Sequence, residues 1–340
     1  MARAYGPGRV NLIGEHTDYN DGLCLPFAIA RGVTVSAETI EGGEVIAVAH
    51  DLGEEDRFEL ESPPAAQGWR AFVRGVVAEL RAAGHRVPAA RLEIDGDVPR
   101  SAGLSSSAAL ATALCLALLG LSGEHDEPDR LELARLCSRV ENEWVGARTG
   151  LLDQLAALFC REGSAMRIDI GTLELTEVPL DLGDWTLAVL DSQAKRDLAT
   201  SGYNQRRDEC ARAAELLGLD SLRAATLEDV PRLPAPLDRR VRHVVEENER
   251  VDLAVRALAH EDLAELGALL DASQASLRDL YEVSVPELER AVRAMKDAGA
   301  AGARMIGGGF GGSVLGLFPP GARPPAAALT VEPGPAARLL

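Results

Sequence analysis

The chain has 340 residues, which suits two domains or one large one. It is 46% hydrophobic and 26% charged, an ordinary balance for a soluble globular protein, and its net charge of -18 argues against broad, non-specific binding to nucleic acid or anionic membranes. No basic-then-apolar signal opens it, and its longest apolar stretch, residues 108–121, is too short to span a bilayer, so neither a nucleic acid nor a membrane is an expected partner. Residues 5–50 read as strands and turns, with β-branched residues at 33–38 and 45–49 around the turn at Gly42-Gly43. Residues 71–82 form an amphipathic helix, and 91–97 alternate as a strand that feeds an apolar helix over 108–121. A second helical segment covers 127–145, Gly146 and Gly150 punctuate it, and a short helix starts near 151. Strands return over 172–191, and a junction between halves falls at 180–185. Helices then follow over 203–216, 237–260, 261–273 and 286–298, ahead of a proline-rich tail of edge or loop character. Strands and helices mix without regular alternation, so the fold class expected is α+β.

Five scattered cysteines, Cys24, Cys115, Cys137, Cys160 and Cys210, form no Cys-x-x-Cys pair; three of them lie in helical apolar patterns and fit core packing, and a reducing cytoplasm suits the set. Lys195 and Lys296 are the two lysines of the sequence, and no Gly-x-x-x-x-Gly-Lys-Ser/Thr motif exists, so any ATP binding proceeds without a P-loop lysine.

Four segments carry candidate chemistry. The run Gly103-Leu104-Ser105-Ser106-Ser107-Ala108 follows a strand and opens an apolar helix. The first N–H groups of a helix lack intrahelical partners and face the positive end of its dipole, so hydroxyls placed there make a cradle for phosphate and an oxygen ligand for Mg²⁺. A plain serine N-cap is the alternative. Near the start, Pro7-Gly8-Arg9-Val10-Asn11-Leu12-Ile13-Gly14-Glu15-His16-Thr17-Asp18-Tyr19-Asn20 packs Glu15, His16 and Asp18 into four positions. Such a cluster suits the hydroxyls of a polyol, and a solvated turn or a metal site are the other readings. Gly307-Gly308-Gly309-Phe310-Gly311-Gly312 matches the dinucleotide-binding pattern, but a strand-like segment and prolines follow it where that motif needs a helix. It also lacks the downstream segments of a protein kinase, which leaves a glycine turn between strands that can approach a ligand closely. Finally, Glu141 sits late on one helix and Asp153 in the first turn of the next, where an acid also simply suits the helix dipole.

With these pieces in order, the chain resembles the galactokinases, a family of the superfamily that includes homoserine, mevalonate and phosphomevalonate kinases (the GHMP kinases). The likeness covers residues 7–317. The segment from Pro7 to Asn20 resembles the galactokinase signature, and the serine-rich run resembles the superfamily phosphate loop. The glycine cluster resembles the third superfamily motif. Thr149-Gly150-Leu151-Leu152-Asp153-Gln154 resembles the segment bearing the family's active-site aspartate, and Tyr203-Asn204-Gln205-Arg206-Arg207 a further family block. The first motif begins almost at Met1, where the family usually carries a longer N-terminal segment. Lys195-Arg196-Asp197-Leu198 stands where the family usually has Arg-His-x-Leu, and Ile306 and Ser313 replace the usual neighbours of the glycine cluster.

The resemblance implies a two-domain fold, an N-terminal α/β domain over 1–180 and a C-terminal α+β domain over 181–340, with the active site between them. It implies phosphorylation of the galactose 1-hydroxyl by ATP in the cytoplasm, by a monomer or weak homo-oligomer. Carried over residue by residue, Arg9 and Asp153 would be catalytic. Glu15, His16, Asp18, Gly150 and Tyr203 would meet the sugar together with those two. Gly103, Leu104, Ser105, Ser106, Ser107 and Ala108 would wrap the ATP phosphates, and Ser107 and Glu141 would hold Mg²⁺. A kinase for N-acetylgalactosamine or arabinose, or a non-catalytic sensor of galactose and ATP, are the alternative functions.

Overall fold

The structure is a computed structural model that describes residues 1–99, 103–123, 129–194 and 199–340. The first half contains β1 (Ala2–Asn11), β2 (Leu23–Cys24), β3 (Pro26–Thr39), β4 (Glu44–Ala49), β5 (Glu54–Glu59), α1 (Trp69–Ala82), β6 (Ala90–Gly96), α2 (Ser106–Ser122), α3 (Arg130–Arg139), α4 (Leu152–Phe159), β7 (Ser164–Asp169) and β8 (Glu174–Pro179). The second contains β9 (Thr186–Asp191), α5 (Ala199–Leu217), α6 (Leu237–Ala259), α7 (Leu263–Asp279), α8 (Pro286–Asp297), β10 (Gly302–Met305), β11 (Ser313–Phe318), β12 (Leu329–Val331) and β13 (Arg338–Leu339).

These elements make a two-domain α+β fold. A six-stranded sheet has the order β13-β1-β3-β6-β4-β5, and a four-stranded sheet has the order β10-β11-β9-β12. A third, three-stranded sheet runs β2-β7-β8. In β4, Val45, Ala47 and Ala49 alternate inward, as a half-buried strand requires. Val45 and Ala47 join Val35 and Leu92 in a core with Val76, Leu80, Leu114 and Leu118 of the covering helices. Helix α2 is apolar all round and correspondingly buried along most of its length. It lies against β1 because Gly6 has no side chain: a Cβ there would stand 2.2 Å from the Ala109 carbonyl oxygen. The register of β1 against β3 shifts between Pro7 and Arg9, and at the shift the Arg9 N–H leaves the sheet to donate to the Leu104 carbonyl at 3.0 Å. A break of this kind re-aims a strand residue, and here it points Arg9 toward the serine-rich turn.

A second core joins the two halves, with Leu12, Ile13 and Leu25 packing among Val251, Leu266, Ile306 and Leu315. The elements fall close to expectation, with four differences. Strands β3 and β4 flank the Gly42-Gly43 turn but do not pair, because β6 inserts between them, parallel to β4. The sequence expectations contain neither β5 nor β7, and α7 continues to Asp279, beyond the expected end at 273. The proline-rich tail has the edge character expected of it: it supplies two edge strands, and the second, β13, returns to pair with β1. Residues 127 and 128 of the expected second helix, and Lys195 to Leu198, lie outside the described residues. All five cysteines are buried and free. No helix among the described residues is long and apolar enough to cross a membrane.

Candidate active site

A cavity of about 320 Å³ opens between the halves. Its wall is built from the loop after β1, the turn before α2, the segment before α4, the start of α5 and the glycine loop between β10 and β11. Arg9, Glu15, His16, Asp18, Gly150, Asp153 and Tyr203 all line it, as do Gly103 to Ser107. Gly307, Gly308, Gly309 and Gly311 close the same space. Asp18 and Asp153, far apart in sequence, thus face one cavity. Ala108 and Glu141 do not line it: Ala108 is buried in α2, and Glu141 lies behind the wall.

At the centre, both oxygens of Asp153 are held. Arg9 donates from Nε to Oδ1 at 2.7 Å, with Nη2 at 2.6 Å, and the Ser105 hydroxyl donates to Oδ2 at 2.7 Å. Arg9 Nη1 also donates to the Gly103 carbonyl at 2.7 Å. Burial alone would depress the Arg9 guanidinium, yet Asp153 and Glu15 outweigh it and hold its pKa above the ordinary value. Ser105 precedes α2 in a left-handed conformation, φ 57°, and makes no side-chain capping bond. Its hydroxyl serves Asp153 instead, so the plain N-cap reading fails for that residue. Ser106 and Ser107 then open the helix beside the cavity, with its positive dipole end behind them.

Behind this turn, a π-helical turn, Val140–Trp144, carries Glu141 inward. Such turns are rare and recur at functional sites. The Glu141 carboxylate accepts from Ser107, from Gln154 Nε2 at 2.7 Å and from Thr149 Oγ1 at 3.2 Å. Burial, with Asp153 nearby, raises its pKa.

The acidic end of the cavity comes from the loop after β1. Glu15 accepts from the Gly307 N–H at 2.8 Å and pairs with Arg304 at 3.1 Å. Burial first, then the charges of Asp153 and Glu15, push the Asp18 carboxyl up to about 6. Gly150 leaves Asp18 its place, because a Cβ there would lie 2.2 Å from Asp18 Oδ2. His16 has a left-handed backbone, φ 62°, and its Nδ1 lies 2.9 Å from the Tyr19 hydroxyl. Burial, reinforced by His243, drives its pKa well below the ordinary value. The His16 and Tyr203 rings stand 5.5 Å apart.

Several supporting residues escaped the sequence reading. Arg304 is fully buried and donates to the Asn11 and Leu12 carbonyls at 3.0 Å while pairing with Glu15. Glu247 accepts from the Gly14 and Glu15 N–H groups at 3.1 and 3.4 Å, and His243 Nε2 lies 3.1 Å from the Glu15 carbonyl. Arg304 did leave a signal, a lone charge in the apolar run from Ala300 to Ile306. Glu247 left none, lying in a helix rich in acids. Ala147, Arg148, Thr149, Leu152, Asn204 and Ile306 complete the lining.

Comparison with known proteins agrees with this arrangement. Residues 2–39 match the galactokinase galactose-binding signature, 71–161 the GHMP kinases N terminal domain and 254–332 the GHMP kinases C terminal domain. A galactokinase of Thermotoga maritima is 42% identical over 317 residues, 93% of this chain and 89% of its own. One of Mycobacterium bovis is 43% identical over 327 residues, covering 94% and 90%. A galactokinase of Lactococcus lactis, crystallised with galactose, superposes with a TM-score of 0.91 at 32% identity, covering 100% of this chain and 95% of that one. A mevalonate kinase of Methanococcus jannaschii, at 17% identity and a TM-score of 0.69 over 97% of each chain, shares the fold. Likeness of this strength along nearly the whole sequence makes the chain a member of the galactokinase family within the GHMP kinases.

Proposed function

We propose that this protein transfers the γ-phosphoryl group of ATP to the 1-hydroxyl of galactose in the cytoplasm. The observation that carries the reading is the meeting, in one cavity, of the carboxylates of Glu15, Asp18 and Asp153 with Arg9 and the serine-rich helix start. Glu15, His16, Asp18 and Tyr203, with Gly150 making room, hold the sugar hydroxyls, and residues 103–107 wrap the phosphates through backbone N–H groups and hydroxyls. We take residues 1–180 and 181–340 as the two domains, the first bearing Arg9, Glu15, His16, Asp18, Gly150, Asp153 and the serine-rich turn and the second Tyr203 and the glycine loop, with β8 ending at Pro179 in one sheet and β9 starting at Thr186 in another.

Phosphoryl transfer has a loose transition state, so placement and charge neutralisation supply most of the rate. Two donors, Arg9 and Ser105, pin the Asp153 carboxylate. Pinned in this way, Asp153 orients the attacking hydroxyl and takes its proton late in the transfer, while Arg9 faces the charge on the transferring group. The chemistry behind the turn suits Mg²⁺: a buried carboxylate, Glu141, already joined to the Ser107 hydroxyl, offers the hard oxygen donors that this ion takes alongside phosphate. When bound, Mg²⁺ neutralises phosphate oxygens.

ADP release measured across galactose, glucose, arabinose and N-acetylgalactosamine tests the reading. Galactose should dominate, because a sugar inverted at one centre leaves buried polar groups unpaired. Equal turnover on glucose would remove the assigned specificity, and galactose binding without ADP release would leave a sensor. Asp153→Asn should lower kcat by at least about 100-fold. Near-normal turnover in that variant would take Asp153 out of the chemistry.

A further inference from the structure

Behind the sugar end of the cavity lies a chain of hydroxyls with no assigned role. The Tyr19 hydroxyl, 2.9 Å from His16 Nδ1, is 2.8 Å from the Tyr281 hydroxyl, which is 3.0 Å from the Cys210 sulfur. The chain ends at Cys210, and beside it Asn20 Nδ2 donates to the His16 carbonyl at 2.8 Å. Tyr281 and Cys210 are buried, and the Tyr281 ring lies 4.7 Å from the His16 ring and 4.3 Å from that of His243. On the far side of His16, Nε2 is buried and has no hydrogen-bond partner among the described residues, although the residue lines the cavity.

We propose that Cys210, Tyr281 and Tyr19 form a one-way hydrogen-bond relay that fixes His16 as the neutral Nε2–H tautomer, so that it meets the sugar as a donor. The direction follows from the donor at the far end. Each tyrosine hydroxyl has one proton to give, so the order at one end dictates the order at the other. The Tyr281 oxygen is the partner within reach of the Cys210 thiol proton. Tyr281 then donates to Tyr19, and Tyr19 to Nδ1. The reverse order would put the Tyr281 proton on the sulfur, a weak acceptor, and would strand the thiol proton in a buried site. Burial pushes the Cys210 thiol up to about 11, which keeps that proton in place at neutral pH. Glu15 and Asp18, as carboxylates, only accept, so a donor at His16 gives the sugar end both kinds of partner. Tyr19, Tyr281 and Cys210 are positioning residues in this scheme. It rests on the sugar-binding role proposed above for His16.

Nitrogen-15 NMR of the full chain labelled in histidine, without substrate, reads the tautomer directly, and the signal of His16 is identified by its loss in His16→Gln. The wild type should show the neutral Nε2–H form. Tyr281→Phe keeps the ring and cuts the relay. It should give a mixture of tautomers and raise the galactose KM roughly fivefold, the scale of one hydrogen bond, with the ATP KM unchanged. Cys210→Ser, which keeps a donor, should preserve the tautomer, and Cys210→Ala should loosen it. This pair decides the matter if Tyr281→Phe does not fold. A wild-type Nδ1–H form, or an unchanged ratio in both Tyr281→Phe and Cys210→Ala, overturns the relay. Because the spectrum needs no turnover, a fixed tautomer in a protein that fails to phosphorylate galactose would count against the sugar kinase reading and leave the relay standing.

Discussion

A Cβ built on Gly150 would meet the far end of the Asp18 side chain, 2.2 Å from Oδ2, and that carboxylate can swing where a backbone atom could not. Gly150→Ala should therefore fold with nearly the wild-type Tm and lose sugar affinity, the galactose KM rising about tenfold as Asp18 is displaced, on the scale of a hydrogen bond to a charged group. An unchanged KM would show that Asp18 does not touch the sugar. Asp18 itself sets a conflict between stability and binding. Its carboxyl is raised to about 6 by burial and by Asp153 and Glu15, so its ionised form is disfavoured in the unliganded fold. Removing that charge with Asp18→Asn should raise Tm above pH 6 and weaken galactose binding at the same time. In the wild type, the galactose KM should rise as pH falls through 6, and this limb should be missing from the variant. At this scale the sequence displayed the residues that bear chemistry: Glu15, His16, Asp18 and Asp153 are polar groups crowded into turn-rich segments. Arg304 and Glu247, which hold the same loop from the other half, could not be ranked from sequence, because their partners are backbone groups some 290 and 230 residues away by the chain separations.

Strand β1 and helix α2 carry opposite sides of the site, and the distance between them is set by Gly6. A methyl there would lie 2.2 Å from the Ala109 carbonyl oxygen and 2.6 Å from Thr112 Oγ1, so the strand must lift from the helix. Gly6→Ala should cost about 3 kcal/mol, the upper range for overpacking a core, and should also lower kcat, because the same strand carries Arg9. Gly43→Ala is the matched control: its nearest neighbour is Glu59 Oε2 at 3.7 Å, and denaturant melts should place it within about 0.5 kcal/mol of the wild type. Equal losses in the two variants would refute the close-approach argument. The elements that the sequence revealed are those whose pattern is local, such as α1 with one apolar face and α2 apolar throughout. The π turn at Val140–Trp144 was not among them. Its geometry answers to α1, where Gly75 leaves room for the Trp144 ring and Glu79 accepts from Trp144 Nε1 at 3.3 Å. Pairing order was hidden for the same reason, since nothing near Gly42-Gly43 shows that β6 will enter between β3 and β4.

Across the whole molecule, the loop that bears Glu15 and His16 is clamped by buried charge from the C-terminal half, and this clamp makes stability depend on pH. His243 is fully buried with both ring nitrogens engaged, Nδ1 at 2.8 Å from Ser276 Oγ and Nε2 at 3.1 Å from the Glu15 carbonyl. A carbonyl can only accept, so Nε2 carries the proton and Nδ1 accepts from the serine. Protonating Nδ1 would break that bond in a buried site, and burial lowers the His243 pKa to about 4. The unfolded chain therefore takes up this proton first as pH falls. The stability that neutral His243 contributes is complete above about 6.5 and is lost between there and about 4, amounting to about 3 kcal/mol at most. His16, also depressed, acts in the same direction. Glu247, held at about 2 against burial by Arg250 and then His243, extends the loss below pH 4.5. Asp18 opposes them, because its raised pKa lets the folded protein bind a proton first between about 6 and 3.8. Asp18 is only half-buried and solvent screens it, whereas the two histidines are buried, so the histidines should prevail. Tm should accordingly fall on acidification from pH 6.5 to 4.5, before the Glu247 carboxylate begins to titrate. His243→Gln keeps a donor for the Glu15 carbonyl and cannot take up a proton, so its Tm should start lower at pH 7.5 and decline less steeply, the two curves converging as pH falls. Parallel curves across that range would show that His243 is not the group the acid limb reports.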